Sequence, residues 1–484
     1  MNMIDGLNLL TDNEEYSSKM GSAVTCKFKR DFYEQVLNTL DNKDVVFLLG
    51  PRKCGKTVML RQFESENSDV RYVDFKAMES SDAKIDLVTE VVKSVLGSKK
   101  CYYLLDEVTY MFFPDSEIAR IAGAYTQAKA LGIKIQTKVI FAGSQSVALE
   151  AWGYTAFSTQ AAYIRVSFLT YAEWLRYLGL SDINEDTYLR FLFNVSEFYG
   201  FSSLEDYLKG CLNETVNSNA NSQNYIFGND CDLIDECLLS DILYLILFSL
   251  HDHVSAINFF KQNALTDKVS YVARQLKLSN PLSRQDIAEM IAKSWLRRYD
   301  NVRSVDLATL KQALLFLIRC DLIVATPVIS DLDTRINVKY KLERDTGFKT
   351  KREVFSQVNY TIKYPMFYVA VLKEILKSNL TMKLESITLG SIVECHVRGL
   401  LPCADCFEYR DFENREIDYI DRRNGLAVEI ATWNKKDSDV NFDILAECGY
   451  DKILLTKDIR ESSDIVRIPY YEYIYNLSSS CIEH

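Results

Sequence analysis

Between Arg30 and about Val166 short apolar runs recur at wide intervals: VVFLL, VRYVDF, YYLLDE, KVIFAGS and YIRVSF. The stretches between them, such as DAKIDLVTEVVKSVLG, carry apolar residues at helical spacing. Unbroken apolar strands alternating with amphipathic helices are the pattern of a parallel sheet covered by helices. From Tyr171 to about Asn280 the spacing turns helical, interrupted by the polar run NETVNSNANSQN at 213–224, which reads as a loop. Residues 283 to about 343 predict two or three helices (SRQDIAEMIAKSWL, VDLATLKQALLFLIRCDLIVA) and then a hairpin at RINVKYKLE, the order of a winged helix. From about 360 a helix, YPMFYVAVLKEILKS, leads into the strands FEYRDF, EIDYIDRR and LAVEIATW, then DKILLTKD and IVRIPYYEYI, a separate α/β domain. The expected class is a multidomain α/β chain. It has an N-terminal arm at 1–28, a parallel-sheet core at 29–170, a helical lid at 171–282, a winged helix at 283–345 and a last α/β domain at 346–484.

The length of 484 residues agrees with roughly three domains at about 150 residues each. Hydrophobic residues at 48% and charged residues at 25% are ordinary globular usage, which excludes a disordered or fibrous chain. Lys and Arg number 56 against 67 Asp and Glu, a net charge of -11, so the surface as a whole does not suit nucleic acid, although local basic faces do. The first 25 residues lack a basic start and a long apolar core, so they read as an acidic arm and not a secretory signal. The most apolar run, Leu238 to Leu250, is interrupted by Asp241 and falls short of the roughly 20 residues that span a bilayer. A cytoplasmic protein without a membrane partner is expected. In that reducing compartment the 12 scattered cysteines read as buried thiols.

Gly50-Pro51-Arg52-Lys53-Cys54-Gly55-Lys56-Thr57 fits G-x-x-x-x-G-K-[ST] between the apolar strand VVFLL and the helix VMLRQF, the context the motif requires. Such a loop turns backbone N–H groups into a cup at a helix N-terminus, with Lys56 reaching the outer phosphates of ATP and the Thr57 hydroxyl holding Mg²⁺. The strand Cys101 to Leu105 ends in Asp106 and Glu107. There Asp106 would take the metal side and Glu107 would orient the attacking water. A third strand ends in Gly143-Ser144-Gln145-Ser146, at the sheet edge where ligands of such folds bind, so Ser144 is a candidate γ-phosphate sensor. Cys54, at a helix N-terminus between Lys53 and Lys56, would be a reactive thiol if exposed.

The run Arg30-Asp-Phe-Tyr, then FLLGPRKCGKTVMLRQF, YVDF, LLDE and FAGSQS, followed by Arg165 and FLTYAEWL, resembles the prokaryotic AAA-type ATPases that carry a C-terminal restriction-endonuclease-like domain. Tyr207-Leu208-Lys209-Gly210 is similar to a short lid motif of those proteins. The resemblance implies an AAA-like P-loop core and makes Arg165 a candidate finger or sensor for the γ-phosphate. The family's Gly-Arg pair, however, stands here as Ile164-Arg165.

In the last domain Glu416 to Ala431 reads as a hairpin turning at Asn424-Gly425, with Asp418 opposite Ala431 and Ile420 opposite Glu429. Asp418 and Glu429 then lie diagonally on one face and, with Glu394 from the preceding helix, resemble the Glu, Asp, Glu-x-Lys metal site of restriction-endonuclease-like nucleases. Ala431 occupies the lysine's position, with Lys435 and Lys436 further on, so a degenerate domain kept for binding is expected. Cys395, His396, Cys403 and Cys406 have zinc-ligand chemistry in a non-standard spacing. The helix from Val305 to Leu322 offers only Lys311 and Arg319 to a phosphate backbone, whereas Arg344, Lys349, Lys351 and Arg352 cluster as a local basic face. The expectation is a Mg²⁺-dependent ATPase whose nucleotide state controls the C-terminal domain, in contact with a protein partner. The alternatives are an ATP-gated DNA-binding protein or nuclease, and a low-turnover ATP-binding scaffold.

Overall fold

The computed structural model describes residues 28–198, 203–217, 234–249, 297–298, 300–302, 304–329, 342–343, 347–348, 358–376, 386–401, 406–410, 415–431, 440–445, 449–457 and 465–480. The arm at 1–27, the basic cluster at Arg344, Lys349, Lys351 and Arg352, the helix expected at 283–296, and Cys403, Lys435 and Lys436 lie outside these residues. Two compact units emerge, Met1–Leu169 with Thr215–Gln223, and Thr170–Glu214 with Asn224–His484.

The first unit is built on strands β1 (Val45–Leu49), β2 (Val70–Asp74), β3 (Cys101–Asp106), β4 (Thr137–Ala142) and β5 (Ala161–Arg165), with helices α1 (Asp31–Asn42), α2 (Lys56–Glu66), α3 (Ser81–Leu96), α4 (Pro114–Ala130) and α5 (Ser146–Phe157). The sheet order is β2-β3-β4-β1-β5 and every pair is parallel. Every residue of β1 is buried, as a central strand covered on both faces must be. On it the Phe47 ring stacks between Phe141 at 4.7 Å and Tyr163 at 5.3 Å. Helix α5 approaches this stack so closely that a Cβ on Gly153 would lie 2.9 Å from Tyr163 Cε1 and 3.0 Å from Phe47 Cζ, which excludes any larger residue there. The order leaves β4 between β1 and β3, so three neighbouring strands deliver their carboxyl ends to one edge.

The second unit holds helices α6 (Tyr171–Leu178), α7 (Glu185–Phe198), α8 (Leu204–Asn217, whose last turn from Thr215 belongs to the first unit), α9 (Glu236–Ser249), α10 (Leu307–Arg319), α11 (Pro365–Leu376), α12 (Ser386–Leu400) and α13 (Tyr470–Ser480). Its strands are β6 (Ile323–Ile329), β7 (Leu342–Glu343), β8 (Gly347–Phe348), β9 (Val358–Ile362), β10 (Cys406–Arg410), β11 (Glu416–Asp421), β12 (Leu426–Ile430), β13 (Asp451–Thr456) and β14 (Val466–Pro469). Seven of them form a mixed sheet in the order β14-β13-β12-β11-β10-β6-β9. Helix α6 starts at a reciprocal cap in which Glu173 N–H donates to Thr170 Oγ1 and Thr170 N–H donates to Glu173 Oε2.

Several sequence expectations change here. Helix α8 runs on to Asn217, so residues 213–217 of the polar run, expected as loop, finish a helix, and the rest of the run lies outside the described residues. Strand β6 pairs antiparallel with β9 and parallel with β10, so one sheet crosses the boundary placed at 345/346. An apolar strand such as β6 gains more by burial inside a wide sheet than on a small wing. Arg319 is buried in this packing, not held on a helix surface for phosphates, and burial lowers its pKa to about 10.

Candidate nucleotide site

The loop after β1 is shaped by close approach. A Cβ on Gly50 would meet the Val166 carbonyl oxygen at 2.2 Å, so only glycine fits against the segment leaving β5. Gly55 caps helix α2 with φ 101°, a left-handed conformation that favours glycine, and the helix N-terminus follows at once. Lys56 is buried, and its Nζ donates to Gly50 O and Pro51 O at 2.8 Å each, with Cys54 Sγ at 3.5 Å. Ser146, from the start of α5, brackets Gly50: the Gly50 N–H donates to Ser146 Oγ at 2.6 Å, and Ser146 Oγ is 3.0 Å from Gly50 O.

Asp106 ends β3 in a buried position and accepts three hydrogen bonds. Thr57 Oγ1 donates to Oδ2 at 2.7 Å, Tyr72 OH donates to the same oxygen at 3.0 Å, and the Glu107 N–H donates to Oδ1 at 3.0 Å. Burial and the Asp106 charge push the Tyr72 phenol well above its usual pKa, so it stays protonated and remains a donor. Arg61, one helical turn after Thr57, lies over the Tyr72 ring at 3.5 Å. Glu107 has φ 48° and ψ 46°, a costly conformation for a non-glycine residue, which turns its side chain off the strand line. Ser144 Oγ, beyond the end of β4, reaches Glu107 Oε2 at 3.3 Å.

The structure therefore brings Gly50, Lys56, Thr57, Asp106, Glu107 and Ser144 to one edge. Arg165 ends β5, is 58% exposed at its side chain, and pairs with both oxygens of Glu150 at 2.8 Å. Cys54 is fully buried, so the exposure on which its reactivity was conditional is not met. The donor set fits ATP with Mg²⁺: a glycine turn at a helix N-terminus, a cation bound to exchangeable backbone carbonyls, and an exposed Thr57 hydroxyl beside a buried carboxylate. Sequence reasoning missed Tyr72 and Arg61, and it put Ser146 at this edge without its bond to Gly50. The available signal was that β2 and β3 each end in an aspartate, and levelling Asp74 with Asp106, as they pair here, sets Tyr72 beside the Walker-type strand.

In the second unit the expected metal set, Glu394, Asp418 and Glu429, is not assembled. Arg398, missed by sequence reasoning and fully buried, donates through Nη2 to Glu408 Oε2 at 2.9 Å and Asp418 O at 3.1 Å, with Glu394 Oε1 at 2.6 Å. Burial works against its charge, but Glu394, Glu408 and Asp418 outweigh it and hold its pKa above the usual value. Asn359 Nδ2 also donates to Glu408, and the Ile430 N–H donates to Asp418 Oδ2 at 2.7 Å. Among the described residues no group of three His, Cys, Asp or Glu is placed to hold a metal ion.

The hairpin register corrects the expected one. Ile420 pairs with Ala427 and Asp421 with Leu426, so the turn is a four-residue loop and not Asn-Gly alone. The Asp421 carboxylate closes it by accepting from Asn424 N at 3.1 Å and Asn424 Nδ2 at 2.7 Å. Extending that register sets Asp418 opposite Glu429; the shift of two residues preserves the face. Ala431 is buried with Phe407, Ile417 and Leu454, where a lysine would meet apolar neighbours. Of the four residues with zinc-ligand chemistry, Cys403 lies outside the described residues, and Cys395 and Cys406 are the buried thiols that the sequence favoured over a zinc site. His396 is buried, bonds Tyr188 OH through Nδ1 at 3.0 Å and stacks near Tyr188 and Phe191, and burial lowers its pKa to about 3. Cys395 donates to Ile362 O, and Cys406 accepts from Tyr419 OH.

Comparison with known proteins agrees with the first unit. Residues 42–175 match the family model described as an AAA domain. No curated protein matches the chain. Among solved structures, a Walker-type ATPase of Pyrococcus abyssi is similar at 14% identity and TM-score 0.32, covering 71% of this chain and 96% of that one. The ORC2 protein of Aeropyrum pernix, in ADPNP and ADP complexes, gives 12% and 0.30, covering 62% and 88%. Cdc6p of Pyrobaculum aerophilum gives 12% and 0.27, covering 74% and 98%. At such scores these likenesses carry no argument of their own. Among the described residues no helix is long and apolar enough to cross a membrane. Within the segment 42–175 that matches the AAA domain, the loop Gly50 to Thr57 follows the first strand of a parallel five-stranded sheet.

Proposed function

We propose that the chain binds ATP with Mg²⁺ at the loop Gly50 to Thr57 and hydrolyses it, and that the nucleotide state controls the second unit. The observation that carries this is the convergence of three strand ends, in which Thr57 bonds Asp106 while Ser144 bonds Glu107. Mg²⁺, when bound, would neutralise phosphate charge beside Thr57 and Asp106. Lys56 exchanges its bonds to Gly50 O and Pro51 O for phosphate oxygens, a trade of like for like that leaves no buried cation unsatisfied. Glu107 accepts from the attacking water and orients it, while the Ser144 hydroxyl holds the carboxylate and reads the γ-phosphate position. Arg165, once released from Glu150, adds positive charge at the same sheet edge.

Residues 346–484, within the second unit, are read as a degenerate restriction-endonuclease-like domain without nuclease chemistry, kept for interaction with a protein partner. Loss of the γ-phosphate would release segments that its contacts order, the general device by which such sites act on neighbouring structure. Calorimetric titration of the full chain with a non-hydrolysable ATP analogue tests the binding step. Wild type binds with Mg²⁺ and more weakly without it, and Lys56→Ala weakens binding by about tenfold or more. Equal affinity of the two proteins would reject the site.

A further inference from the structure

The phosphate loop is held from behind by a short segment, Val166 to Phe168, that the reaction does not use. Val166 supplies the carbonyl against which Gly50 packs, and its own N–H donates to Leu49 O at 2.6 Å. At the loop's other end Arg30 makes the bridge. Its Nη1 donates to Cys54 O at 2.7 Å and Ser167 O at 2.9 Å, and its Nη2 donates to Phe168 O at 3.0 Å. The guanidinium also lies 5.1 Å from the Phe32 ring centre, which limits where it can swing. Arg suits this task because its planar fork reaches several acceptors at once, which a lysine ammonium on a flexible stem does not.

Which way the Cys54 carbonyl points matters for chemistry. In a trans peptide the carbonyl and the following N–H point in opposite directions. Arg30 draws the Cys54 oxygen away from the cup, so the Gly55 N–H faces into it, where phosphate oxygens need donors. Gly55, at φ 101°, has the backbone freedom to turn that peptide over, so without the guanidinium its orientation is poorly fixed.

We propose that Arg30 is a positioning residue of the phosphate site: it sets the Cys54–Gly55 peptide so that its N–H meets phosphate, and it ties that peptide to Ser167 and Phe168. The tie has a second consequence. Phe168 and Leu169 close the first unit, and the chain continues through Thr170 into α6 of the second. A change at the Cys54–Gly55 peptide on phosphate binding is therefore passed through the Arg30 side chain to Ser167 and Phe168, beyond the direct Gly50–Val166 contact, in the segment by which the chain leaves the nucleotide domain. This inference rests on the nucleotide reading above and deepens it.

The test uses the full chain as wild type, Arg30→Lys and Arg30→Ala. Two ligands are titrated, ATP and inorganic tripolyphosphate, and amide hydrogen exchange is followed over 50–57 and 165–170. Arg30→Ala weakens both ligands by about tenfold, because the lost contact serves phosphate and not the base, and Arg30→Lys recovers part of the loss. In wild type ATP protects both segments together. In Arg30→Ala, saturating ATP still protects 50–57 but no longer 165–170. An arginine that only stabilised the fold would lower the melting temperature and leave the affinities of the folded protein unchanged. Should Arg30→Ala not fold, Arg30→Lys carries the test, with an affinity between the wild-type value and a tenfold loss and weaker coupled protection. A wild type that binds neither ligand would overturn the nucleotide reading and this inference with it. A wild type that binds, beside folded Arg30 variants with wild-type affinities and exchange, would overturn this inference alone.

Discussion

Both units hold a buried cation and carboxylates at a sheet, and they partner them in opposite ways. At the edge of the first sheet, Lys56 bonds neutral backbone carbonyls while Asp106 and Glu107 are held by hydroxyls and an N–H. Every partner there is one that a phosphate, a metal ion or a water molecule can replace at similar cost. In the second sheet, Arg398 lies fully buried among Glu394, Glu408 and the Asp418 carbonyl, an ion pair that nothing from solvent replaces without leaving charge uncompensated. The same residue types make a working site in one place and a fixed internal ion cluster in the other. What separates them is whether the partners are exchangeable.

This contrast breaks most visibly if the internal cation is removed. Arg398→Met removes the cation beside partly buried Glu394 and leaves buried Glu408 with Asn359 as its remaining donor, which destabilises the second unit by about 3–5 kcal/mol, measured by urea unfolding. A variant as stable as wild type would mean the acids are solvated or otherwise paired. A pH-dependent effect, absent near neutrality and of comparable size only in strong acid, comes from His396, whose burial depresses its pKa from an ordinary 6.5 to about 3. Below about 6.5 the unfolded chain takes up a proton that the folded chain refuses, so stability falls as pH falls, by about 1.4 kcal/mol per unit until about 3. His396→Gln, followed over the same pH range, should lose that part of the slope.

Next in size, Tyr72→Phe removes one of three donors to Asp106 and costs about 1 kcal/mol at the carboxylate. The half-saturating Mg²⁺ concentration for ATP binding should rise about fivefold while affinity for ATP at saturating Mg²⁺ holds. No change in metal dependence would detach Tyr72 from the site. The smallest expected effect is on stability in Arg165→Gln, which breaks an exposed pair with Glu150 worth under about 1 kcal/mol. In that variant a loss of turnover beyond the stability change is expected, and unchanged turnover would leave Arg165 as surface structure.

The first unit was legible in the sequence because its signals are local. Strand, glycine loop and helix follow one another within about twenty residues, and the acids stand at a strand end that apolar periodicity marks. Tyr72 and Arg30 were less visible because their partners are distant in sequence: Asp106 on the neighbouring strand for Tyr72, and loop carbonyls of Cys54, Ser167 and Phe168 for Arg30, contacts that leave no spacing pattern. In the second unit Asp418 and Glu429 were correctly put on one face, but Arg398 and Glu408 went unseen. Their meeting depends on how α12 packs on the sheet, which no periodicity encodes. The hairpin register slipped by two because Asn-Gly is a strong two-residue signal, and the Asp421 side chain outweighs it by closing a longer loop.

The central claim is that the exchangeable site, and not the internal one, does chemistry. Steady-state ATP turnover with Mg²⁺, wild type against Glu107→Gln, tests it most directly. The account predicts turnover in wild type and a loss of about a hundredfold or more in Glu107→Gln, with ATP binding retained. A wild type that binds ATP without turning it over, or a Glu107→Gln protein that works at the wild-type rate, would contradict it.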